Sequence, residues 1–271
     1  MKSSLVDKIK KLRKITGIGF MDCKIALIKT NENFDKAIFW LKTKGEKIAL
    51  NRSFIETKEG GVISSITMDH TIGTIIGLSC ETDFLSKSRI FLKFLNFLSK
   101  HSLLFKNKKE FLSSLYKKQS IQDLIFEKMG IIGEKLELKI FERIESLFVM
   151  NYTHHNNKIA TLIGFNKNVN NNIAKNIAMH ITAMNPITID KDKIPNDLIK
   201  QEIEIIHKQI KIEKLPYDKK EKIVSGKLKK FISENTLLNQ KFIKNNKITI
   251  KEYLKKSDKN IKINFFIRKR I

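Results

Sequence analysis

L-R-K-I-T-G-I-G-F-M-D-C-K-I-A-L, from Leu12 to Leu27, reads as the end of one helix, a turn bracketed by Gly17 and Gly19, and the start of a second helix. Paired glycines between two stretches of helical apolar spacing are the signature of such a turn. Ile18, Phe20 and Met21 fall near its tip. A turn tip has no core of its own, so all three are expected to be exposed and to suit a partner. The helical pattern continues outward on both sides. Leu5, Ile9 and Leu12 form a stripe behind a Ser4-x-x-Asp7 start signal, Ile25 and Ile28 continue on the second helix, and Phe34, Ile38 and Leu41 follow Asn33 on a third. Residues 1–52 are therefore predicted to be a three-helix partner-binding domain, removable without disturbing the remaining core.

A second tract, C-E-T-D-F-L-S-K from Cys80 to Lys87, places Asp83 and Phe84 at an exposed junction between a strand ending at Cys80 and a helix beginning a few residues after Phe84. The strand belongs to a hairpin in which V-I-S-S-I-T and I-G-T-I-I-G-L flank Asp69-His70, and a helix from about Arg89 to Leu98 follows it. The same order recurs as L-F-V-M-N-Y, the polar His154 to Asn157, K-I-A-T-L-I-G-F and a helix from about Asn172 to Met184, which suggests an internal duplication. Ile199, Ile203, Ile206 and Ile210 then take the spacing of a coiled-coil seam, repeated by Val224, Leu228 and Phe231 beyond a break at Pro216. The expected fold class is α+β: the helical domain 1–52, a core subdomain 53–144, a related one at 145–185 completed by 234–271, and an antiparallel coiled-coil hairpin inserted at 186–233.

The net charge of +25 would ordinarily suggest nucleic acid. Its make-up argues otherwise, because 47 of the 53 basic residues are lysine and 6 are arginine, while arginine is the usual choice for bidentate phosphate and base contacts. A solvated surface is the expectation, with a basic nucleic-acid-binding protein as the alternative. Two cysteines, Cys23 and Cys80, with no secretory pattern fit a reduced cytoplasm, and no apolar run reaches membrane length.

Motifs for other chemistry are incomplete. Gly17-x-Gly19 follows a helix and has Asp22 where a dinucleotide fingerprint needs its third glycine, and Gly226-Lys227 is followed by Leu228, not by the hydroxyl residue of a phosphate loop. The six histidines and two cysteines have no zinc spacing, and no serine lies in a nucleophile elbow. No catalytic residue, metal or cofactor is expected.

Taken together, the tracts resemble the bacterial elongation factor Ts family, guanine-nucleotide exchange factors of elongation factor Tu. The resemblance runs in order through L-R-x-x-T-G-x-G-x-M-D-C-K-x-A-L, A-I-F-W-L-K-T-K-G at Ala37, T-D-F at Thr82 and G-E-K-L at Gly133. It continues through Y-T-H at Tyr152, I-A-M-H-I-T-A at Ile177 and K-I-V-S-G-K-L-K-K-F at Lys222. The N-terminal unit is also similar to a ubiquitin-associated domain, which leaves an adaptor for a ubiquitin-like partner as a third possibility. What the family resemblance implies is a chain that binds elongation factor Tu and promotes exchange of GDP for GTP. It assigns Thr82, Asp83 and Phe84 to the nucleotide-binding domain of the partner near its magnesium side, Arg13, Phe20 and Met21 to the same domain, and the surface around His154 and His180 to another. Phe20 stands where methionine is usual in the family. Many members also continue into a C-terminal helical module, whereas this sequence stops at Ile271, so dependence on the N-terminal helices is expected to be high. A homo-oligomer through the hairpin is a further partner to consider.

Overall fold

A computed structural model describes residues 4–16, 18–52, 54–212 and 217–271. Ser4 and Asp7 open the first helix as the sequence indicates: the Ser4 hydroxyl donates to the Asp7 carboxylate at 2.7 Å and accepts the Asp7 backbone N–H at 3.2 Å. The helix α1 (Leu5–Thr16) is followed by α2 (Phe20–Lys29) and α3 (Phe34–Asn51), the last capped by Asn33, whose side chain accepts the Lys36 N–H at 3.0 Å. Their shared core is Ile9, Leu12, Ile18, Cys23, Ala26, Leu27, Ala37 and Leu41.

Two expectations fail here. Ile18 is fully buried instead of exposed at the turn tip. The Thr16 hydroxyl accepts its N–H at 3.3 Å and the Cys23 thiol donates to its carbonyl at 3.7 Å, so the chain folds inward after α1 and carries the side chain into the bundle. On α2 the buried stripe is Cys23, Ala26 and Leu27, while Ile25 and Ile28 face outward. Gly17 and the break at Pro216 lie outside the described residues.

Strands β1 (Glu59–Ile66) and β2 (Ile72–Cys80) form the first hairpin, followed by a single turn α4 (Asp83–Ser86) and α5 (Arg89–Ser102). Next come α6 (Lys108–Ser113), the small pair β3 (Leu115–Tyr116) and β4 (Gln119–Ser120), α7 (Ile121–Ile132) and β5 (Glu137–Glu145), which pairs with β2. The second hairpin is β6 (Phe148–Thr153) and β7 (Ile159–Phe165), followed by α8 (Asn171–Met184), α9 (Asn196–Ile212) and α10 (Tyr217–Asn235). The small pair β8 (Lys241–Phe242) and β9 (Asn245–Thr249), then α11 (Ile250–Ser257) and β10 (Ile263–Arg270), complete the chain, with β10 on β7. The fold is thus mixed α/β, with three N-terminal helices and several small sheets.

The two larger sheets, ordered β1-β2-β5 and β6-β7-β10, pack face to face through Val62, Ile75, Ile144, Val149, Ala160 and Leu162. Each outer face is covered by helices. Ile76 and Leu78 meet Phe91, Leu95, Ile121 and Ile125 on one side, and Ile163 and Phe165 meet Ala174, Ile177, Ile181 and Leu254 on the other. Burial on both faces explains why the middle strands β2 and β7 read as nearly unbroken apolar runs. Gly73 leaves room for the facing sheet: a Cβ there would lie 2.7 Å from Leu162 Cδ2 and 2.8 Å from Val149 Cγ1.

The N-terminal helices are not detached from the rest. Helix α3 crosses α7 at Gly45 and Gly130, where a Cβ on Gly45 would be 1.8 Å from the Phe126 carbonyl oxygen and one on Gly130 would be 2.8 Å from the Leu41 carbonyl oxygen. Ile131 of α7 also packs on the N-terminal core. Helices α9 and α10 contact each other, with Lys227 Nζ donating to Gln209 Oε1 at 3.0 Å; Ile206 and Ile210 are buried, and Ile199 and Ile203 only half-buried.

Candidate partner-binding site

The T-D-F tract leaves β2 and turns at once into α4. Thr82 is the N-cap: its hydroxyl accepts the Leu85 N–H at 3.3 Å. Asp83 is therefore the first helical residue rather than the cap. Its carboxylate accepts from Lys87 Nζ at 2.7 Å one turn on, and this ammonium, with the backbone N–H of Phe84, holds the carboxyl below its ordinary range. The turn points Leu85 and Ser86 inward, which sends Phe84 outward. Its side chain is 84% exposed, so it belongs to no core cluster.

Five residues hold the turn from behind. The Glu134 carboxylate accepts both the Thr82 hydroxyl, at 2.7 Å, and the Thr82 N–H, at 3.0 Å. The Glu81 carboxylate accepts the Lys135 N–H at 2.7 Å and pairs with the Arg52 guanidinium just beyond the end of α3. Cys80 lies below, donating to the Thr82 carbonyl at 3.2 Å. Burial, reinforced by the Glu134 carboxylate, pushes its thiol up to about 12, so it is a neutral donor and no nucleophile at physiological pH.

Arg13 is exposed on α1, and Phe20 and Met21 are exposed in the first turn of α2, Met21 at 61%. His154 is half-buried at the β6–β7 turn, its ring 4.3 Å from that of His155, and it lines a cleft of about 380 Å³ with Tyr152, Met179, Ile243 and Arg268. The same turn reaches the T-D-F region: a second cleft, of about 330 Å³, is walled by Ser86 and Lys87 on one side and His155 to Lys158 on the other. Two tips some seventy positions apart in sequence thus share one end of the molecule.

His180 is not at a surface. It is fully buried, with the Ile243 backbone N–H donating to its Nδ1 at 3.2 Å and its Nε2 2.9 Å from Gln240 Oε1. An N–H donor on Nδ1 fixes the neutral tautomer with the proton on Nε2, where it donates to Gln240. His180 therefore ties α8 to the segment around β8, and the expectation of an exposed contact is corrected. Among the described residues, no group of three or more His, Cys, Asp or Glu could hold a metal ion, and no helix is long and apolar enough to cross a membrane.

The family model described as Elongation factor TS matches residues 81–271, starting one residue before T-D-F. An elongation factor Ts of Flavobacterium psychrophilum is 42% identical over 262 residues, with 96% of each chain covered. That of Christiangramia forsetii is 40% identical with the same coverage, and that of Porphyromonas gingivalis is 36% identical over 97% of this chain and 96% of its own. The chain belongs to the elongation factor Ts family. Its role is that of an elongation factor in protein biosynthesis. Within that family frame, the residues that sequence reasoning missed are Arg52, Glu81, Glu134 and Lys135. Two of them lie in the G-E-K-L tract, where the visible signal was Gly133, whose φ of +83° ends α7 in the left-handed conformation. The carboxylate beside it gave no hint of its partner 52 positions away.

Proposed function

We propose that the chain binds elongation factor Tu and promotes release of GDP, with Asp83 and Phe84 entering the nucleotide-binding domain near its magnesium side. The observation that carries this reading is Phe84: a large aromatic group held in water on a capped turn is an anchor in want of a pocket. A GTPase grips GDP through phosphate-cradling amides and magnesium, so a wedge that displaces either weakens the nucleotide without touching its base. The coupling is reciprocal, and GTP refilling the site expels the factor by the same free energy. The chain contributes no bond-making chemistry, takes no cofactor of its own, and acts where translation occurs, in the cytoplasm.

In the finer division, residues 1–52 form a ubiquitin-associated-like bundle that presents Arg13, Phe20 and Met21 to the same partner domain. The hairpins at 53–144 and at 145–185 with 234–271 are two related subdomains, and 186–233 is a coiled-coil hairpin that also offers a face to a second copy of the chain. His154 meets another domain of the partner, with His180 shaping that surface from beneath. No specific nucleic acid is required. Mixing the purified chain with elongation factor Tu carrying labelled GDP tests the reading: release should accelerate with concentration of the chain, and an unchanged rate would reject it.

A further inference from the structure

Helix α4 has four residues, too few to hold its own direction in water. What fixes it is reciprocal. Glu81 and Thr82 face Glu134 and Lys135, and each pair supplies one carboxylate that accepts a backbone N–H of the other: Glu81 takes that of Lys135 at 2.7 Å, and Glu134 takes that of Thr82 at 3.0 Å. The second oxygen of Glu134 takes the Thr82 hydroxyl, and the second oxygen of Glu81 takes Arg52. Arg52 follows directly on α3, the helix whose bundle carries Phe20 and Met21. Two turns and the N-terminal helices thus meet in one clasp.

We propose that Glu134 and Glu81 are positioning residues for nucleotide exchange: the clasp aims Phe84, and Arg52 sets that aim relative to the N-terminal helices. This rests on the reading of Phe84 as the wedge. Neither carboxylate need touch the partner. Loss of the Glu134 carboxylate frees the N-cap of α4 and lets Phe84 swing, so the partner still binds through its other contacts while the wedge enters badly.

The test is GDP release from elongation factor Tu, titrated with the full chain as wild type, Phe84→Ala, Glu134→Ala and the double variant, with thermal melting of each. Glu134→Ala should lower the maximal rate about tenfold while the half-saturating concentration moves about threefold or less. The double variant should be no slower than Phe84→Ala alone, because Glu134 acts through Phe84. Glu134→Gln, which keeps the shape and one acceptor, should fall between wild type and Glu134→Ala, and it decides the matter if the alanine variant does not fold. Amide exchange should speed up at residues 82–86 and not in β1 or β7. If Phe84→Ala is slow and both Glu134 variants match wild type, or if the two defects simply multiply, the clasp has no positioning role and the wedge stands without it. If Phe84→Ala matches wild type, the wedge itself is wrong and the positioning role falls with it.

Discussion

Phe84 and His180 were both candidates for partner contact, and their surroundings separate them. With 84% of its surface in water, Phe84 contributes little to the folded state, so Phe84→Ala should change stability by less than about 0.5 kcal/mol. His180 has no access to a partner but satisfies two polar neighbours. His180→Leu would strand the Ile243 N–H and Gln240 Oε1, at a cost of about 1–3 kcal/mol for each, visible as a lower thermal midpoint. Burial also lowers the pKa of His180 and His101 from the ordinary 6.5. The unfolded chain then takes up protons that the folded chain refuses, so stability is complete above about pH 6.5 and declines as pH falls below it towards the lowered folded values. Replacing either histidine with a group that does not titrate should flatten that decline in a pH series of melts. His101→Phe should in addition raise stability or leave it unchanged, because the buried Nε2 has no hydrogen-bond partner among the described residues and the ring is already packed by Phe97, Phe105, Phe111 and Tyr116.

Among the elements, α3 and α7 cross at two glycines with no room for a side chain. Gly45→Val would drive a Cβ into the Phe126 carbonyl, and since neither helix backbone can yield locally, the variant should lose at least about 1–3 kcal/mol and expose the α7 backbone to amide exchange. The sequence revealed elements in proportion to how local their pattern is. Hairpins β1–β2 and β6–β7 announced themselves by β-branched runs around polar tips, and α1 by its apolar stripe and start signal. Helix α7 did not, because its polar residues Gln122, Asp123, Glu127 and Lys128 are half-buried like the apolar Leu124, Phe126, Ile131 and Ile132, and this leaves little contrast between its faces to mark the period. Strand β5 alternates charge with apolar residues at a sheet edge, which resembles surface sequence as much as strand. At the site, T-D-F was legible as an exposed junction because strand end and helix start are both local signals. The inward fold of Ile18 depended on Thr16 and Cys23, and the interior place of His180 on Gln240 sixty residues later, and neither pairing leaves a mark in the local pattern.

Across the whole molecule, the joint at α3 revises what removal of the N-terminal helices should do. Deleting residues 1–52 would uncover the Gly130 and Ile131 face of α7 and unpair Glu81 from Arg52, so the truncated chain should melt earlier as well as exchange nucleotide poorly, rather than lose association alone. The charge of +25, dominated by lysine, is expected to give weak, sequence-blind attraction to nucleic acid that fades between about 50 and 200 mM salt, measurable by filter binding across a salt series. The most direct check on the central claim is stopped-flow release of labelled GDP from elongation factor Tu, with wild type and Phe84→Ala compared at equal, subsaturating concentration. An interface anchor worth about 2 kcal/mol predicts release roughly 30-fold slower for the variant at an unchanged thermal midpoint. Equal rates for the two proteins would contradict the account.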